Sequence, residues 1–183
     1  SFSKLTTVDT FLGPEMKSTG EVMGIDKDYH CALYKAMLAS GLQIPFGGTV
    51  LFSVADRDKS ECIGLAYKFK KLGFSLIATE DTYRYLSDVG IDVEYVDDNT
   101  VLEYIKNDRI SLVINTPTKG KIPSRFGFIL RRTAIEFNTP CITALDTANA
   151  VIEVLEHLGG NKDLTAYELG EYSNTKTQLA NSQ

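Results

Sequence analysis

From Thr49 onward the chain alternates between short apolar runs and longer amphipathic ones, and this alternation constrains the fold more than any other feature. TVLFSVA (49–55), FSLIAT (74–79) and SLVINT (111–116) are nearly continuous apolar runs of strand length. Runs of this kind suit strands buried on both faces of a parallel sheet. IDVEYV (91–96) alternates, as an edge strand would, and PCIT (140–143) is a fifth short candidate. Between and after them lie five segments with apolar residues at helical spacing: 58–73, 81–90, 100–108, 127–138 and 146–160. In the first of these, Ile63, Ala66, Phe69 and Leu72 share a face. Gly73 and Gly90 stand where helices should stop, and Asp81 and Asp146 where two should be capped. Strands that alternate with helices imply right-handed crossovers. The expectation is an α/β three-layer sandwich of Rossmann-like type, with a mostly parallel five-stranded sheet.

The flanks read differently. Residues 26–41, DKDYHCALYKAMLASG, predict a helix capped by Asp26 or Asp28, with Tyr29, Leu33, Ala36 and Met37 on one stripe and Gly41 at its end. QIPFGG (43–48) has the composition of a linker, and a domain boundary is expected there. The run TFLGPEMKSTGEVMG (10–24) is too polar for a core strand and too rich in glycine for a good helix. It reads as the edge of a larger enzyme on which it once packed. Residues 161–183 are polar and short of branched apolar side chains, so a disordered tail is expected.

Composition narrows the classes of function. The net charge of −5 argues against a nucleic-acid partner, which would need clustered Lys and Arg. Apolar stretches such as LVI (112–114) are strand-sized, so no membrane span is expected and the cytoplasm is the expected location. Cys31, Cys62 and Cys141 are odd in number and widely spaced, and each sits in an apolar pattern. Buried thiols are the expectation, with neither a metal cluster nor a catalytic residue.

In an open parallel sheet, ligands bind where the carboxyl ends of strands meet loops and helix N-termini. Ser53 and Lys59 bracket the turn after the first strand, where a hydroxyl and an ammonium suit an anion. The plainer reading makes Lys59 a solvated first-turn residue. Thr79 and Thr82 flank the second turn, where an ordinary cap by Asp81 or Thr82 is the plainer reading. Asn115 and Thr116 end the fourth strand and lead into a loop containing Lys119, Gly120 and Lys121. Thr143 ends the fifth strand, as a ligand contact or as a turn hydroxyl. Each signal is weak alone, but all four fall on one sheet edge. No GxGxxG, GxxxxGK[ST], GxSxG or HExxH occurs, so an anion-binding module is favoured over a redox or hydrolytic enzyme.

Several segments resemble a known family. LGPEMKSTGEVMG (12–24) looks like the end of the second ATP-grasp unit in the large chain of carbamoyl-phosphate synthase. LFSVADRDK, AYKFKKLGFSLIATEDT, LVINTPTKGK, FILRRTAIEFNTPCIT and ALDTANAVIEVL resemble that enzyme's C-terminal regulatory domain, which has a methylglyoxal-synthase-like fold. The resemblance implies that residues 1–42 end an ATP-grasp unit and its connecting helix, and that residues 49–160 form an allosteric domain. It implies a parent ligase that makes carbamoyl phosphate from bicarbonate, glutamine-derived ammonia and two ATP, for arginine or pyrimidine synthesis. The parent would use ATP with Mg²⁺ or Mn²⁺, pair with a glutaminase small subunit and be capable of oligomerising, whereas this piece would be non-catalytic and hold no cofactor. UMP, IMP or ornithine would be the effector class. Carried over by position, phosphate and nucleoside contacts fall on Ser53, Lys59, Thr79, Thr82, Asn115 and Thr116, and the ornithine-type contact on Thr143.

The chain departs from the family in its charges. Glu80 and Asp81 stand between the two threonines, and Val96-Asp97-Asp98-Asn99 replaces a Lys and a Gly-containing loop. Glu80, Asp81 and Asp98 near a phosphate would each cost on the order of 1 kcal/mol. A weak or absent response to UMP is therefore expected. The rival readings are a docking module that binds no effector, a free-standing methylglyoxal synthase, and the related cyclohydrolase part of a purine enzyme. The second lacks its Gly-Asp-rich loop between Val96 and Ser111, and the third its Lys-Thr-Gly, replaced here by Asp58-Lys59-Ser60.

Overall fold

The computed structural model describes residue 24, residues 28–118 and residues 126–160. Its strands are β1 (Thr49–Ser53), β2 (Ser75–Ala78), β3 (Glu94–Tyr95), β4 (Leu112–Asn115) and β5 (Cys141–Ile142). Its helices are α1 (Tyr29–Ala39), α2 (Lys59–Lys71), α3 (Glu80–Asp88), α4 (Asp98–Lys106), α5 (Phe126–Glu136) and α6 (Leu145–Gly160). The strands form one sheet in the order β3-β2-β1-β4-β5, and every pairing is parallel. The expectation of a mostly parallel α/β sandwich thus holds, with the sheet parallel throughout.

The period of a strand sorts the core into two layers. Val50 and Phe52 of β1, Leu76 and Ala78 of β2, and Leu112 and Ile114 of β4 pack with α1, α2 and α6. Leu51, Ile77 and Val113, the residues between them, pack on the other face with α4 and α5. All three residues Val50 to Phe52 are fully buried, so the β1 run is apolar because both its faces are covered. Burying each such side chain contributes about 1.5–3 kcal/mol. Within the first layer Phe69 packs edge-on, with its ring centroid 6.1 Å from that of Phe52 and 5.4 Å from that of Phe74.

The strand order places a topological switch at β1. The chain leaves it for β2 and β3 on one side and returns to β4 and β5 on the other. Loops that follow β1 and β4 therefore diverge and leave a crevice at their carboxyl ends. Entry to β1 is tight. Gly48 has φ +105°, and a β-carbon there would lie 2.0 Å from Ser111 Oγ, so glycine is required. The Ser111 hydroxyl in turn accepts the Thr49 N–H at 3.3 Å.

Several boundaries differ from expectation. The third strand contracts to Glu94–Tyr95, since it pairs on one side only. Asp81 does not cap α3. The cap is Thr79 in extended conformation, and Asp81 falls in the first helical turn. Asp146 likewise lies inside the first turn of α6. Carboxylates there still complement the positive end of the helix. The α4 helix starts earlier than 100, because the Asp97 carboxylate accepts the Asn99 and Thr100 N–H groups, each at 3.1 Å. Asp28 caps α1 as expected, and Gly73 and Gly90 adopt positive φ just past α2 and α3. Met37 of α1 and Ile44, within the expected linker, are buried in the same core layer as β1. Cys62 is buried, but Cys31 and Cys141 are only partly so. Among the described residues, no helix is long and apolar enough to cross a membrane. The expected ATP-grasp edge (up to residue 23), Lys119 to Lys121 and the 161–183 tail lie outside the described residues.

Candidate functional site

The parallel register sets Ser53 beside Asn115 at the carboxyl ends of β1 and β4. The Asn115 side-chain amide donates to the Ser53 carbonyl at 2.8 Å, so the two strand ends are locked together. Just beyond, the turn after β1 turns its amides outward. Val54 N–H donates to Thr82 Oγ1 at 3.1 Å, and Ala55 N–H donates to Thr116 Oγ1 at 2.8 Å. Three loops from three strands are thereby fastened by two threonine hydroxyls. Each hydroxyl, having accepted a bond, still carries one proton to donate.

These residues surround a cavity of about 430 Å³ that opens at the switch point. Ser53, Thr79, Thr82, Asn115 and Thr116, five of the residues singled out from the sequence, line it. Arg131 of α5 lines it too and is only 4% exposed. Its guanidinium donates to Asn115 Oδ1 at 2.5 Å. A buried guanidinium facing a polar cavity attracts carboxylate or phosphate oxygens. Gly127, one turn earlier on α5, has no side chain to cover this pair. A β-carbon there would lie 3.4 Å from both Arg131 Nη1 and Asn115 Oδ1.

Sequence reasoning missed Arg131. It passes for a surface charge beside Arg132, yet it follows the buried Leu130 and precedes the buried Ala134 by three. Its place on the apolar stripe of α5 was the available signal.

The rim is acidic, with Glu80, Asp81 and Asp98 all lining the cavity. Their charges differ in effect. Glu80 is ion-paired with Arg84 one helical turn on. Partial loss of hydration raises the Asp98 carboxyl above the usual aspartate range, and the charges of Asp97 and Glu80 add to the shift.

Lys59 and Thr143 are placed elsewhere. The Lys59 ammonium pairs with Asp56 at 2.6 Å, and Lys59 is not among the residues lining the cavity. Asp56 opens the 3-10 turn (Asp56–Asp58) that precedes Lys59, which sets the two side chains three residues apart. Thr143 lines two other depressions. One of them, of about 260 Å³, also presents Asp58, Glu61 and Asp146 together with Arg57, whose Nε lies 3.4 Å from Asp58 Oδ1. Glu61 and Asp146 are the carboxylates it offers to a cationic amine.

Two of the three thiols, Cys62 and Cys141, are held protonated by their environment. Burial pushes both Cys62 and Cys141 up to about 12.

Residues 61–143 match the family model of the MGS-like domain. Among solved structures, the chain is similar to a methylglyoxal synthase from Elizabethkingia anophelis NUHP1, with 24% identity and a TM-score of 0.49 over 60% of this chain and 79% of that one. It is also similar to ForH, with 26% identity and a TM-score of 0.44 over 62% of this chain and 82% of that one.

Proposed function

We propose that the MGS-like domain is the effector-binding regulatory unit of a glutamine-dependent carbamoyl-phosphate synthase large chain. The observation that carries the binding part is the meeting of Ser53, Thr79, Thr82, Asn115 and Thr116 around one cavity with Arg131 beneath it. Hydroxyls, an amide and a guanidinium form a donor set for an anionic or carbonyl head group. The link to the synthase is supported by LGPEMKSTGEVMG (12–24), which resembles the end of an ATP-grasp unit.

The cavity's charges select among effectors. Without Lys59, a phosphate would rely on Arg131 and face Asp81 and Asp98. A nucleotide held by its phosphate, UMP or IMP, is accordingly a poor ligand, and an ornithine-class amine is the better candidate. An amine would lie against Thr143, where Glu61 and Asp146 supply negative charge and Asp58 is already paired with Arg57. Regulation would be a population shift, limited to the effector's differential affinity for two domain arrangements, typically 1–3 kcal/mol.

Thermal denaturation of the chain with UMP, IMP, ornithine and arginine tests this reading. A rise with ornithine and little change with UMP or IMP is expected. No rise with any of the four would overturn it and leave a docking module.

Asp98 favours a second reading. A carboxyl with a raised pKa beside an anion-binding cavity could move protons, as in a lyase. Production of methylglyoxal by the chain, lost in Asp98→Asn, would establish that reading instead.

A further inference from the structure

The chain has two histidines, and both come to one place. His30 of α1 and His157 of α6 stack with ring centroids 4.4 Å apart and planes 18° from parallel. Asp28, the cap of α1, lies against them. Its Oδ1 is 3.2 Å from His157 Nε2 and 3.9 Å from His30 Nδ1. The same oxygen accepts the Cys31 N–H at 3.0 Å, which brings the cysteine into the first turn beside it. Side-chain donor atoms of Asp28, Cys31 and His157 all lie within 4.8 Å of one another. Both cap and cysteine are half-buried, as is His157, so solvent can reach the cluster.

We infer that Asp28, Cys31 and His157 form a binding site for Zn²⁺ that clips α1 to α6. A thiolate, an imidazole and a carboxylate are the donor types that zinc prefers, whereas an all-oxygen set would suit Mg²⁺ or Ca²⁺. Donors around a tetrahedral zinc at ~2.0–2.3 Å stand ~3.3–3.8 Å apart, so contraction by about 1 Å completes the set. His30 is not a ligand, because stacked parallel rings cannot both aim ring-plane lone pairs at one ion. It holds the His157 ring in place from its face. Three protein donors leave a fourth position for water. The three come from the first and last described helices, so the ion would act as a cross-link that is absent from the unfolded chain. Such an ion stabilises the folded state by mass action. Nothing in the spacing along the sequence shows this, since the folding of the sheet brings His157 to Asp28.

Cobalt(II) reports on the site directly. Titration of the full chain with Co²⁺ should give one equivalent of binding, a thiolate-to-cobalt band in the near ultraviolet and the visible bands of tetrahedral cobalt. Cys31→Ser should lose the near-ultraviolet band, and His157→Ala should weaken binding at least tenfold. His30→Phe, which keeps the stacked ring, should retain both. Absence of the bands in the unmodified chain, or equal bands in Cys31→Ser, would overturn the inference. So would a rise in melting temperature with Zn²⁺ that is the same in the unmodified chain and in His157→Ala.

Discussion

The Arg131 guanidinium donates to Asn115 Oδ1 at 2.5 Å while the other end of the same amide donates to the Ser53 carbonyl at 2.8 Å. One buried side chain thus couples helix α5 to the ends of two strands. Asn115→Ala would strip a partner from a buried guanidinium and from a partly buried carbonyl. A loss of about 3 kcal/mol of stability is expected, read as a lower midpoint of urea unfolding. A loss below about 1 kcal/mol would mean that the pair is not the tie described.

Thr82 acts as a strut whether or not it also meets a ligand. Its buried hydroxyl accepts the Val54 N–H at 3.1 Å. Thr82→Val keeps the volume and removes the acceptor, for a cost of about 1–3 kcal/mol, whereas Thr82→Ser should recover most of it. Chemical denaturation of the two variants side by side checks this.

Gly127 separates binding from folding. Alanine there fits at 3.4 Å from Arg131 Nη1 and Asn115 Oδ1 and covers the pair from the cavity. Gly127→Ala should leave stability unchanged or raise it by up to about 1 kcal/mol. Anion binding measured by calorimetry should weaken at least several-fold.

Asp98 carries the pH dependence. Its folded pKa is raised, so its stabilising contribution is present below the ordinary aspartate pKa and is lost as pH rises through the raised value. Asp97 runs the opposite way. Hydrogen bonds from the Thr100 side chain and backbone lower its pKa, and its contribution is lost as pH falls through that lowered value. Asp98→Asn should therefore stabilise the chain at neutral pH, and the gain should shrink in acid. Removal of one rim charge is worth on the order of 1 kcal/mol, so anion affinity should rise about fivefold. Unfolding midpoints from pH 3 to 8 and calorimetry check both.

Thr143→Ala, in the intact synthase of the proposed reading, should weaken activation by an amine without altering unactivated turnover. Steady-state rates with and without ornithine decide it.

The sheet was legible in the sequence because its physics is local. Residues Val50 to Phe52 are apolar on both faces, and glycine at 73 and 90 marks positive φ, so elements and stops could be read directly. The switch-point rule then collected Ser53, Thr79, Thr82, Asn115 and Thr116 without any contact information. What it could not supply was competition for each polar group. Lys59 looked available until Asp56 turned out to lie 2.6 Å from its ammonium. Arg131 was hidden for the opposite reason: its place on the apolar stripe of α5 hints at burial, but its acceptor, Asn115, comes from another element. The caps of α3 and α6 and the start of α4 were misplaced because clusters such as Asp97-Asp98-Asn99-Thr100 offer several candidate caps.

Strand β1 has a hydrogen-bonded neighbour on each side and a layer of helices on each face. No fluctuation short of breaking the sheet can expose its amides to water. Deuterium should therefore enter Leu51 last of all, at a rate that reports global unfolding.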